Sequence, residues 1–220
     1  MDEMRRYRAV LFDVDGTLLD TSEGLYASAK KAIREMGLPP LDADRLRKIL
    51  SANAQHAFQE YYQLSEEDTR RISDIYRSAY RDEFFSLVEP FPGVPRMLEE
   101  LRADGYVLGT ASLKREDFCR TLFGPMGLLD YFDVLSGQSA DYTRTKRDTI
   151  VSAAERLGLE ASDCVLVGDS VYDAEGAEQA GCGFLAVTYG FGFTSAEEVA
   201  PYPLLASAAN TGEVLELLRS

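Results

Sequence analysis

Two kinds of apolar pattern alternate along the chain. Short unbroken apolar runs bounded by turn residues read as strands buried on both faces, and apolar positions three and four apart read as helices. The first run, Ala9-Val10-Leu11-Phe12, passes straight into Asp13-Val14-Asp15-Gly16-Thr17. Further strands are predicted over 106–111, 132–136, 164–167 and 184–188. Between 21 and 88 the pattern is helical only. Leu25, Ala29, Ile33 and Met36 share one face of a helix over 21–36, closed by Gly37 and Pro39-Pro40. Asp42 is placed to cap a helix over 45–50, a third helix covers 54–62, and Ser65 with Asp68 opens a fourth through about 80 by a box-like cap. Pro90-Phe91-Pro92-Gly93 ends the block. Helices are then predicted over 94–103, from about 115, and over 145–157, 171–180 and 213–218, with Gly190, Gly192 and Thr194 in a loop.

Strands alternating with helices predict an α/β fold with a parallel sheet between two helical layers. The resulting expectation is a three-layer, Rossmann-like core over 1–20 and 89–220. An all-helical cap over 21–88 is inserted into it, with hinges near Asp20-Thr21 and 88–90. The connection from Asp15 to Ser112 is far longer than the roughly 30 residues that a simple strand–helix–strand unit needs. The one from Ser112 to Lys146 is too short for a second large insertion. A lid beside an acidic strand end would exclude water and touch the organic part of a substrate. Tyr61, Tyr62, Phe84 and Phe85 are read as packing within the cap.

Composition narrows the partners. The 220 residues carry 23 Lys and Arg against 37 Asp and Glu, a net charge of −14. That balance argues against nucleic acid or an anionic membrane surface, although a metal and a few local cations can still admit a small anion. No apolar run approaches the roughly 18 residues of a membrane span. No signal-type segment precedes the first strand. Cys119, Cys164 and Cys182 are odd in number and scattered, which suggests reduced thiols in a cytoplasm. His56, the only histidine, is read as surface or packing. With no extended apolar face left over, a monomer is the default.

Polar residues fall at strand ends or helix starts in four places: Asp13/Asp15, Ser112, Lys146 and Asp169/Asp173. Strand side chains repeat every two residues, so Asp13 and Asp15 project to one side. They do so at the sheet edge where open α/β folds bind ligands. Two carboxylates so close repel, and a cation between them relieves this. Carboxylates, a hydroxyl and one ammonium are what metal-assisted phosphoryl transfer uses. Each also has a plainer reading. Asp-Gly is a common turn pair, Ser112 could cap a helix with Thr110 as the true counterpart, Lys146 stands beside Arg144 and Arg147, and Asp173 could lie on a helix surface.

Asp13-Val14-Asp15-Gly16-Thr17, Ser112, Lys146 and Gly168-Asp169-Ser170-Val171-Tyr172-Asp173 together resemble the haloacid dehalogenase-like hydrolases, closely the phosphoglycolate phosphatase-like branch. The resemblance covers nearly the whole chain. It implies Asp13 as nucleophile, forming an aspartyl-phosphate, and Asp15 as general acid and then base. It also implies Mg²⁺ held by Asp13, the Asp15 backbone carbonyl and Asp169. Ser112 would bind phosphate and Lys146 would sit between phosphate and Asp13. Asp173 would reach the metal through water or orient Lys146. Three departures stand out: Leu113 where Asn is common, Arg147 where Pro is common, and Ser51-Ala52-Asn53 where Gly-Pro-Pro is frequent. The expected function is a Mg²⁺-dependent phosphatase of a small phosphorylated metabolite, with phosphoglycolate or a nucleoside monophosphate as first candidates. The alternatives are a phosphosugar mutase of the β-phosphoglucomutase type, a metal-free 2-haloacid dehalogenase, and a non-catalytic phosphate-binding module.

Overall fold

Every residue of β1 (Ala9–Phe12) is buried, as expected of a strand with a helical layer on each side. The computed structural model describes residues 6–51 and 54–220. The Ser51-Ala52-Asn53 segment therefore lies outside the described residues, apart from the backbone of Ser51. After β1 come β2 (Leu19–Asp20), α1 (Ser22–Glu35), α2 (Ala43–Ser51), α3 (Ala54–Tyr62) and α4 (Glu66–Ala79), which runs on into a π-helical turn over Tyr80–Phe84. There follow β3 (Glu89–Pro90), α5 (Val94–Ala103), β4 (Val107–Arg115), α6 (Glu116–Phe123), β5 (Val134–Gln138), α7 (Lys146–Arg156), β6 (Cys164–Gly168) and α8 (Val171–Ala180). The chain ends with β7 (Gly183–Val187), α9 (Ala196–Val199), β8 (Ala206–Ala208) and α10 (Thr211–Leu218).

The described residues form two compact units, one of residues up to Leu19 with Pro90–Ser220, the other Asp20–Glu89. The first holds a six-stranded sheet in the order β5-β4-β1-β6-β7-β8. All its pairings are parallel. Leu11, Ala111, Leu166 and Ala186 face α7 and α8 across a core that includes Ile150, Ala153, Ala174 and Ala177. Ala153 and Ala154 of α7 and Ala174 and Ala177 of α8 keep the helical side of that core small. This is the expected doubly wound α/β architecture.

The second unit is helical throughout its middle. Ala29, Ile33, Leu46, Ile49, Phe58 and Ile72 make its core, and Phe58 meets Tyr76 edge-on at 5.7 Å. Asp42 accepts from the Arg45 amide and Ser65 from that of Asp68. Tyr62 donates to the Pro39 carbonyl, and Tyr80 meets Phe85 edge-on. His56 is exposed on α3 beside Glu60.

Four strands differ most from expectation: the two-residue β2 and β3 were not foreseen, and β4 and β8 depart as follows. β4 does not stop at Ala111 but continues to Arg115, because its register against β5 shifts between Ala111 and Arg115. Such an irregularity re-aims side chains at a strand end, and here the affected residues are Ser112, Leu113 and Lys114. β8 was not foreseen: Ala206-Ser207-Ala208 has no apolar signal of its own and becomes a strand by pairing with β7.

Candidate active site

The sheet register assembles the site. Phe12 is level with Thr110 on one neighbouring strand and Val167 on the other. Asp13 therefore emerges between the middle of β4 and the end of β6, and its amide still donates to the Val167 carbonyl at 2.9 Å. Two residues beyond the paired positions stand Ser112 and Asp169. Behind Asp13 the chain folds into a tight loop, with the Leu18 and Leu19 amides donating to the Val14 carbonyl. Gly16 takes φ +85° there, and a Cβ on it would run into the Asp169 carboxylate. Any other residue would be strained in backbone and blocked in space.

Asp13, Asp169 and Asp173 present carboxylate oxygens within 4.8 Å of one another, all buried. Lys146 lies between two of them, with its Nζ 2.5 Å from Asp13 Oδ1 and 2.5 Å from Asp173 Oδ1. It is the first residue of α7, placed by a capping box in which Thr145 and Asp148 bond each other's amides. Gly176 makes room for its aliphatic stem, since a Cβ there would strike Lys146 Cγ. The other oxygen of Asp173 accepts from the Ser170 amide and hydroxyl at the start of α8. Asp169 Oδ2 accepts from the Phe191 and Gly192 amides.

Burial, the largest influence, lifts the Asp13 carboxyl from 3.8 to about 6; Lys146 opposes this, and Asp173 and Asp15 add to it. Burial, with Asp173 and Asp13 beside it, lifts Asp169 to about 8. For Lys146 burial works against the charge, but the Asp13 and Asp173 carboxylates prevail and hold its pKa above the usual lysine value. Crowded, buried carboxylates reluctant to ionise, offering only hard oxygen donors, suit a divalent cation.

Two residues outside the predicted set, Lys114 and Gln138, complete the geometry. Lys114 Nζ donates to both oxygens of Asp15, at 2.9 and 3.0 Å. Its amide donates to Ser112 Oγ at 3.1 Å, so one short stretch of β4 serves both side chains. Gln138 closes the loop that leads to Lys146, accepting from the Ser139 and Arg144 amides and donating to the Arg144 carbonyl. Neither carries a local signal: Lys114 falls between the strand predicted to residue 111 and the helix predicted from about 115, and its partner is 99 positions away. The two candidate hydroxyls have different surroundings. Thr110 Oγ1 is used within the sheet, on the Ser136 carbonyl and amide, whereas Ser112 lies in the irregular stretch of β4, where its Oγ accepts from the Lys114 amide. The three cysteines are free and buried.

Residues 10–187 match the family model described as haloacid dehalogenase-like hydrolase. The chain belongs to the haloacid dehalogenase-like hydrolases. Within that family it is a phosphatase, of the phosphoglycolate phosphatase-like branch. It is 31% identical to a phosphoglycolate phosphatase of Nitrosospira multiformis over 191 residues, 84% of each chain. It is 30% identical to a 5'-nucleotidase of Pseudomonas aeruginosa over 192 residues, 87% of each. Among solved structures it superposes on a haloacid dehalogenase-like family hydrolase from Streptococcus pneumoniae with a TM-score of 0.89. That match is 28% identical and covers 96% of this chain and 98% of the other. No helix of this family member, among the described residues, is long and apolar enough to cross a membrane.

Proposed function

We propose that the protein is a Mg²⁺-dependent phosphatase acting on a small phosphorylated metabolite through an aspartyl-phosphate on Asp13. The observation that carries this is the buried cluster of Asp13, Asp169 and Asp173 with Lys146 between two of them. Mg²⁺ would be held by the Asp13 and Asp169 carboxylates and the Asp15 carbonyl. When bound it would neutralise charge on the transferring phosphoryl group.

In the first displacement a carboxylate oxygen of Asp13 attacks phosphorus. The bond to the leaving oxygen breaks, and Asp15 gives that oxygen its proton. In the second, Asp15 takes a proton from water as the water oxygen attacks phosphorus, releasing inorganic phosphate and restoring Asp13. Ser112 binds a phosphoryl oxygen. Lys146 keeps positive charge beside Asp13, and Asp173, with one oxygen on that ammonium and the other on the Ser170 cap, orients it. Phosphoglycolate and nucleoside monophosphates are the first substrates to try, because the relatives named above carry those activities.

The test is phosphate release from a panel of phosphomonoesters with and without Mg²⁺, beside Asp13→Asn. Metal-dependent turnover that the variant loses by more than about a thousandfold is expected, as for removal of a covalent nucleophile. Turnover equal to that of the variant would favour a binding module. A hexose 6-phosphate formed from a hexose 1-phosphate would indicate the mutase.

A further inference from the structure

Three consecutive backbone amides of the loop after β7 converge on Asp169. Phe191 N and Gly192 N donate to its Oδ2 at 2.7 and 3.0 Å, and Phe193 N donates to its carbonyl at 2.7 Å. The same loop reaches the acidic turn after β1, where Tyr189 donates its hydroxyl to the Thr17 carbonyl at 2.9 Å. The packing leaves no room for side chains. A Cβ on Gly190 would meet both the Gly16 carbonyl and the Asp169 carboxylate, and one on Gly192 would meet the Asp169 carbonyl. Phe91 backs the arrangement, edge-on to Tyr189 at 5.0 Å and 6.3 Å from Phe191. Its amide donates to the Leu18 carbonyl. Loop and turn thus share one support.

We propose that residues 189–193 form a clamp that pre-sets Asp169 for the divalent cation, with Tyr189, Gly190 and Gly192 as positioning residues. This rests on the reading of Asp169 as a Mg²⁺ ligand. A carboxylate with both oxygens free can swing or chelate through either. Here Oδ2 is committed to two amides, and Oδ1, which accepts no hydrogen bond from the described residues, is the oxygen left for the cation. Partners of this kind fix a ligand's direction before the ion arrives, and their loss typically costs about 10–100-fold in metal affinity.

Calorimetric titration of the full chain with Mg²⁺ tests this, for the wild type, Tyr189→Phe, Gly190→Ala and Gly192→Ala. Thermal melts and separate kcat and KM values accompany it. The glycine variants are expected to bind Mg²⁺ about tenfold more weakly or worse, and Tyr189→Phe a few-fold more weakly. The KM for a phosphomonoester at saturating Mg²⁺ stays within about twofold of wild type and kcat recovers there. A loop with a merely structural role would lower the melting temperature and leave Mg²⁺ affinity unchanged, and that result overturns the proposal. Should the glycine variants fail to fold, Tyr189→Phe, which removes one oxygen and no carbon, decides alone. A wild type that binds Mg²⁺ as tightly as its variants refutes the clamp only. A wild type that binds none refutes the metal-dependent reading and the clamp with it.

Discussion

Lys114 shows what a single side chain can do from inside a strand. Its ammonium bridges both oxygens of Asp15, the group assigned to proton transfer, and so fixes the direction of that carboxylate. Proton transfer by a positioned group contributes about 10²–10⁴ in rate, and a group pointing the wrong way forfeits part of it. Lys114→Met keeps the stem and removes the charge. It is expected to lower kcat roughly 10–100-fold with little change in KM, and Lys114→Arg should restore part of the loss. Steady-state kinetics at saturating Mg²⁺ checks this, and a change confined to KM would instead place Lys114 on the substrate. The aspartates were readable beforehand because each stands beside a strand run or helix start that marks its position. Lys114 was not, because its role depends on a register shift in β4 and on a partner remote in sequence.

At the scale of elements, α7 links sequence and chemistry most directly. Thr145 caps the helix and Lys146 is its first residue, so the cap that starts the helix also aims the ammonium. Thr145→Ala is expected to cost about 1 kcal/mol of stability, as for lost helix caps generally. It should also lower kcat, with Mg²⁺ affinity retained. Denaturant melts and calorimetry check the two parts separately. Helices and inner strands were legible from periodicity because each buries a continuous face. The lower edge of legibility is set by β8, three small residues that are a strand only because β7 lies beside them. α9, at four residues, is likewise too short to show a period. The loop of residues 189–193 showed only its glycines. Why they are glycines became visible once Asp169 and Gly16 were seen against them.

For the whole molecule, the charge cluster ties stability to pH. The Asp13 carboxyl is raised from 3.8 to about 6 and that of Asp169 to about 8, chiefly by burial. A carboxyl whose folded pKa lies above its unfolded one favours the protonated fold. Its contribution is complete below the unfolded value and is lost as pH rises through the folded one. The metal-free protein should therefore lose melting temperature from these groups between about pH 4 and pH 8, and Mg²⁺ should raise it more at about pH 8.5 than at about pH 5.5. Calorimetric scans at both pH values, with and without Mg²⁺, decide it. An equal metal response at the two values would mean that these carboxylates are not the ones neutralised. The chain leaves the sheet unit after Leu19 and returns to it at Pro90. Leu19–Asp20 and Glu89–Pro90 pair with each other as β2 and β3, so the intervening helices are tethered at two neighbouring points. A tether closed in this way charges its host little for length, about 0.6 kcal/mol for each doubling. The segment between residues 20 and 89 can therefore lengthen or shorten at little entropic cost to the sheet that carries it.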